Sequence, residues 1–139
     1  MSAKNFNTSD LKLLRKSVKS AGVELAYMFG STVSGDARVG SDVDIAVLLP
    51  RRSRASGRFK ARLSLISSLS KLYSKEFDVV VLNDTPSLLF KFIVISQGRL
   101  VYRQDETTQA LYENQVLAEY ADFRPFIDQY NAAYVAKNS

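Results

Sequence analysis

Tyr27 to Leu49 reads YMFGSTVSGDARVGSDVDIAVLL. A hydrophobic segment runs into Gly30-Ser31, and after ten intervening residues a second one begins with Asp42-Val43-Asp44. Two acids stand where a strand should be apolar. Side chains alternate faces along a strand, so Asp42 and Asp44 share one face with Cα atoms roughly 6–7 Å apart. Like charges so close repel each other and resist desolvation unless a cation lies between them. The chain has no His and no Cys, so that cation must be held by oxygen alone, which suits Mg²⁺ or Mn²⁺. Asp78 opens a further apolar run, FDVVVL, from Phe77 to Leu82. Pairing of that run beside the Asp42–Leu49 strand would bring a third carboxylate to the cluster, the acid set of a two-metal site.

Gly30-Ser31 supplies an anion-binding element. A glycine ending a strand lets the backbone approach a phosphate closely, and the Ser31 hydroxyl with the amides of a following helix can face the anion. A triphosphate gripped there and neutralised by a divalent ion over the acids is set up for nucleotidyl transfer. The ordinary readings are a turn at Gly30-Ser31, a capping acid at Asp42, and an Asp78 that is solvated or paired with Lys75. They account for each residue singly and poorly for all of them together.

Composition narrows the alternatives. A length of 139 residues, 46% hydrophobic and 24% charged, allows one domain with a real core. The absence of His and Cys excludes a Ser-His-Asp triad, a thiol nucleophile and a Cys/His zinc site. The start, MSAKNFNTSD, has no apolar signal region, and the greasiest stretch, SLLFKFIVIS, is short and contains Lys91. The expectation is a cytoplasmic protein without a membrane span. The net charge is +5, and no acid occurs between Asp44 and Glu76, where Arg51, Arg52, Arg54, Arg58, Lys60, Arg62, Lys71 and Lys75 fall. That run is either a solvated basic face or a surface for phosphates, RNA or an acidic partner.

Periodicity gives the element order α-β-α-β-α-β-α-β-α, a small mixed sheet covered by helices. The first helix is capped by Ser9 or Asp10, buries Leu11, Leu14, Val18 and Ala21, and stops at Gly22. Val23–Phe29 is a strand, Ser31–Arg38 a short helix, and Asp42–Leu49 the second strand. A second helix presents Phe59, Leu63, Ile66, Leu69 and Tyr73; the Phe77–Leu82 strand follows. Pro86 opens a third helix that Gly98 closes, and Arg99–Arg103 forms an edge strand. Asp105 caps a long helical tail that Pro125 is expected to interrupt. The tail aromatics Tyr112, Tyr120, Phe123, Phe126, Tyr130 and Tyr134 read as core or subunit contacts.

Gly30-Ser31, ten residues, Asp42-Val43-Asp44 and the downstream Asp78 resemble the polymerase-β-like nucleotidyltransferase superfamily. The short length is similar to its minimal branch, the MntA-type antitoxins that accompany HEPN-domain HepT toxins. The resemblance covers about residues 23 to 103, and more loosely EYADFRPFIDQY in the tail. It implies an α+β fold, with residues 1–139 as one minimal nucleotidyltransferase domain whose tail begins near 105. It also implies an antitoxin that transfers AMP from ATP to a tyrosine of a HEPN-domain RNase toxin and neutralises it within a hetero-oligomer. Asp42, Asp44 and Asp78 would be catalytic and hold Mg²⁺ or Mn²⁺, and Gly30, Ser31 and Arg38 would bind the nucleotide. Many relatives have Arg three positions after the motif serine; this chain has Ser34 there, and Arg38 is the cation that can stand in. Two other functions fit the residues. Antibiotic nucleotidylation would prefer an acidic pocket and an extra domain, and a binding-only antitoxin would not need the intact acids. A chain this short has no room for the nucleic-acid-binding domains of a polymerase, so direct nucleic-acid binding is not expected.

Overall fold

The structure, a computed structural model, describes residues 8–29 and 43–138. The expected Ser31–Arg38 helix and the candidate residues Gly30, Ser31, Arg38 and Asp42 lie outside them. The elements are α1 (Thr8–Ser20), β1 (Leu25–Phe29), β2 (Val43–Leu48), α2 (Ala55–Tyr73), β3 (Phe77–Val81), a 3₁₀ turn (Leu82–Asp84), α3 (Leu88–Gln97), β4 (Arg99–Arg103) and α4 (Glu106–Asn138). The sheet order is β3-β2-β1-β4. β1 runs antiparallel to β2 and β4, whereas β2 and β3 are parallel. A parallel neighbour needs a long crossover, and α2 provides it. β4 is the edge strand that the sequence led us to expect.

Alternation sorts the strand residues onto two covered faces. On one face Ala26, Met28, Ile45, Val47 and Val79 meet Leu11, Leu14 and Val18 of α1 and Leu65 and Leu69 of α2. On the other Leu25, Tyr27 and Ala46 meet Val94 of α3, with Phe90 and Tyr112 packed alongside. α1 buries Leu11, Leu14 and Val18 as expected, but it starts at Thr8, so Ser9 and Asp10 lie inside it, and it ends at Ser20, leaving Ala21 beyond it and only partly covered; Gly22, with a φ of 80° that suits glycine, follows. The Tyr73 hydroxyl donates to the Asp10 carbonyl and ties α2 to α1. Arg15 donates from Nε to the Val101 carbonyl at 2.8 Å, occupying one of the groups that an edge strand leaves open.

Two expectations are corrected. Phe59 and Leu63 are 58% and 47% exposed; α2 instead buries Leu65 and Leu69, with Ala61, Ile66 and Tyr73 partly covered. α2 has apolar residues on more than one face, and the sheet selects the 61-65-69-73 row at i, i+4 spacing. The tail is also continuous, because Pro125 lies inside α4. Proline costs the helix one hydrogen bond and a ring clash, a local penalty that 33 residues of helix (roughly 50 Å) absorb here. The cap at the tail's start is as expected, with Asp105 Oδ1 accepting from the Thr108 amide at 2.7 Å and its carboxyl held below the usual range by that bond.

Gly98 fixes how closely α3 approaches β1. A Cβ there would lie 2.3 Å from the Val94 carbonyl oxygen and 3.1 Å from that of Met28, both backbone atoms. Gly98→Ala should therefore cost about 2–3 kcal/mol, the upper part of the overpacking range, read as a lower urea midpoint with unchanged slope. A midpoint equal to wild type would show that the α3–β1 contact is looser than described.

Candidate active site

The register places the described acids side by side. Along the parallel pair Asp44 is opposite Asp78, and across the antiparallel pair Asp44 is opposite Phe29. Adjacent strands lie about 4.8 Å apart, so the two carboxylates start from neighbouring backbone positions on one face. In the sequence Gly30 follows Phe29 directly and Asp42 is two residues before Asp44. Asp44 is half-buried and Asp78 exposed. The face they share is continued along β2 by Ala46, which is buried under the α3 side of the sheet.

Arg62 is a member of this group that sequence reasoning placed only in the basic run. It reaches from α2 around the sheet edge, with Nε donating to the Val79 carbonyl at 2.6 Å and Nη2 lying 3.5 Å from Asp78 Oδ1. The pair is open to solvent, so its worth in stability is small; its consequence is a positive charge beside Asp78. Beside them a hollow of about 440 Å³ is lined by Phe59, Arg62, Asp78 and Val80. The exposed Phe59 thus shares a hollow with Asp78.

Tyr27 and Glu113 were also missed. The buried Tyr27 hydroxyl donates to Glu113 Oε2 at 2.6 Å, and Gln109 donates to the same oxygen at 3.2 Å. Burial first, and then the Glu113 carboxylate, push the Tyr27 phenol well above its ordinary value. Tyr27 is three residues before Gly30, so this network fastens the tail helix to the strand leading into the glycine. Phe29 packs edge-on against Phe90, with centroids 5.4 Å apart, and closes the α3 side of that strand end. A tyrosine on a fully buried strand face was the only sequence signal for a polar partner here.

Among the described residues no group of three or more metal-ligating side chains assembles; the third acid of the motif, Asp42, is outside them. What is described fits a hard divalent ion in kind, with oxygen donors only and two neighbouring carboxylates. The larger hollow of about 1000 Å³ lies at the other end of β1 and β2, lined by Lys19, Glu24, Arg51 and Arg52, so its size does not make it the chemical site. Among the described residues no helix is long and apolar enough to cross a membrane.

The profile of the polymerase beta nucleotidyltransferase family matches residues 12–107. No curated protein matches the chain. Among solved structures, a chain of a toxin–antitoxin complex with AMP-PNP is 24% identical, with a TM-score of 0.68 over 87% of this chain and 98% of that one. A chain of a mutant MntA–HepT complex is 26% identical, with a TM-score of 0.63 over 91% and 98%. A chain from the complex of a tri-AMPylated Shewanella oneidensis HEPN toxin with MNT antitoxin is 22% identical, with a TM-score of 0.57 over 86% and 98%. The mixed four-stranded sheet with its helices is therefore the fold expected from the sequence.

Proposed function

Because the chain belongs to the polymerase beta nucleotidyltransferase family, we propose that it is an antitoxin that transfers AMP from ATP to a tyrosine of a partner HEPN-domain RNase toxin. The observation that carries this reading is the Asp44–Asp78 register at the end of the sheet where β1 leads into Gly30-Ser31. The similar complexes support the partner and the nucleotide: one holds AMP-PNP, and another contains an AMPylated HEPN toxin. The same reading takes residues 1–139 as one minimal domain with the tail from about 105, acting in the cytoplasm as part of a hetero-oligomer.

In this mechanism Gly30 and Ser31 hold the triphosphate, and Arg38 adds a positive charge to it. Asp42 and Asp44, with Asp78 where it does not act as the base, would hold Mg²⁺ or Mn²⁺, which when bound would neutralise the triphosphate and make its α-phosphorus more electrophilic. The tyrosine oxygen forms a bond to the α-phosphorus as the bond to the departing pyrophosphate breaks. Asp78, with Arg62 beside it, is placed at that end of the sheet to take the phenolic proton where it does not hold the second ion. A phenol of pKa ~10 gives up that proton more readily than an aliphatic hydroxyl, which favours tyrosine as acceptor. Phe59 and Asp78 are exposed beside the hollow at the acids, so selection of the acceptor falls to a docked protein surface.

AMP adds bulk and negative charge where an RNase must bind phosphate. The partner's ribonuclease activity should fall in step with incubation time in Mg-ATP and this protein, and stay constant when ATP is left out. Equal loss of ribonuclease activity without ATP would favour neutralisation by binding alone.

A further inference from the structure

A second hollow, away from the acids, has the chemistry of a ligand site. It has a volume of about 540 Å³, within the range of small-molecule sites. It lies where the end of β2 meets the 3₁₀ turn, α3 and the first turns of α4, with Leu48, Leu82 and the Tyr112 side chain as apolar lining and Arg51, Arg58 and Lys91 as cations. Leu48 is four residue steps along β2 from Asp44, about 13 Å of strand, so this is not the acid end of the sheet. Only one carboxylate, Glu24, faces the three cations among the lining residues.

The polar groups around the hollow divide into those already used and those unspent. Asn83 exchanges two hydrogen bonds with the backbone of Leu49, and Gln115 donates to Glu119. Arg58 is held by Asp84 at 2.7 Å. Arg51 and Lys91 have no ion pair among the described residues. The Tyr112 hydroxyl is shut off from solvent without a hydrogen-bond partner among them, a costly state for a buried donor. Burial first, then the charge of Glu119, push this phenol up to about 12, so it stays neutral, and with its hydroxyl shut off it is the rest of Tyr112 that lines the hollow. The charges left for a ligand are those of Arg51 and Lys91, above an apolar floor.

We propose that this hollow binds an organic phosphate of nucleoside monophosphate size, with Lys91 and Arg51 on the phosphate and the organic part against Leu48, Leu82 and Tyr112. The ligand would bridge α3 and α4 to the loop after β2 and so fasten the tail helix to the body. This inference does not depend on the transfer reaction.

The test is calorimetric titration of the full chain, in EDTA, with AMP, adenosine and inorganic phosphate in separate experiments. AMP should bind at least about 10-fold more tightly than either fragment, because only it uses both the cations and the floor. Asp44→Ala should bind AMP as wild type does, while Lys91→Met and Arg51→Ser should each weaken it about 10-fold. A saturating excess of AMP should raise the melting temperature of wild type by on the order of 5–10 °C, and that of Lys91→Met far less. Absence of AMP binding at millimolar concentration overturns the proposal. So does binding that is lost in Asp44→Ala but kept in Lys91→Met, which would place AMP at the acid end, and so does phosphate binding as tightly as AMP. Failure here with AMP transfer intact leaves the antitoxin reading untouched; loss of transfer in Asp44→Ala with AMP binding unchanged separates the two sites.

Discussion

Asp44→Ala yields a folded protein whose transfer of AMP is down at least about 100-fold, since even residues one step removed from a metal ligand cost 10–100-fold when replaced. The fold survives because Asp44 is half-buried at the end of β2, while the strand is anchored by Ile45, Ala46 and Val47, all fully buried. Asp42→Ala should behave the same way, two residues along the same strand pattern. Asp122→Ala, on the exposed tail, is the control and should retain full transfer. Steady-state transfer to the partner, with circular dichroism to show the fold, reads all three; wild-type rates in both Asp42→Ala and Asp44→Ala would remove the acids from the chemistry.

Chelation should be just as severe. With no imidazole or thiolate in the chain, the acid cluster can hold only an ion that accepts oxygen ligands, and carboxylate sites of this kind release Mg²⁺ to EDTA. Transfer should fall to background in EDTA and return in full with Mg²⁺ or Mn²⁺. Because the packed core involves neither Asp44 nor Asp78, the melting temperature should change little. Transfer that persists after exhaustive chelation would require the carboxylates to work as acid and base alone.

The parts of this protein that were legible in the sequence are those set by period and sterics. The parallel register bringing Asp78 beside Asp44 follows once a crossover helix of ordinary length joins β2 to β3, whereas the expected pairing of Asp42 with Asp44 on one face lies outside the described residues. Gly22 and Asp105 mark helix ends by local backbone chemistry, and they hold in the structure. What was hidden depends on which neighbour an element meets. α2 has several apolar faces; Leu69 is buried as expected, and only contact with the sheet chooses Leu65 over Phe59 and Leu63. Arg62 looked like one more cation in a basic run; its link to Asp78 exists because β3 is an edge strand that a side chain can reach around. Tyr27 and Glu113 are 86 residues apart, so no local pattern joins them. Pro125 was weighed by local propensity, which the length of α4 outweighs.

Whether this chain transfers AMP to its partner is tested most directly by the intact mass of the partner toxin. After incubation with this protein and Mg-ATP, the toxin's mass should increase by whole AMP units, with the addition mapped to tyrosine; Asp44→Ala under the same conditions should leave the mass unchanged. A partner whose mass never changes, yet which wild type and Asp44→Ala neutralise equally well, would contradict the transfer reaction and make this protein a binding-only antitoxin.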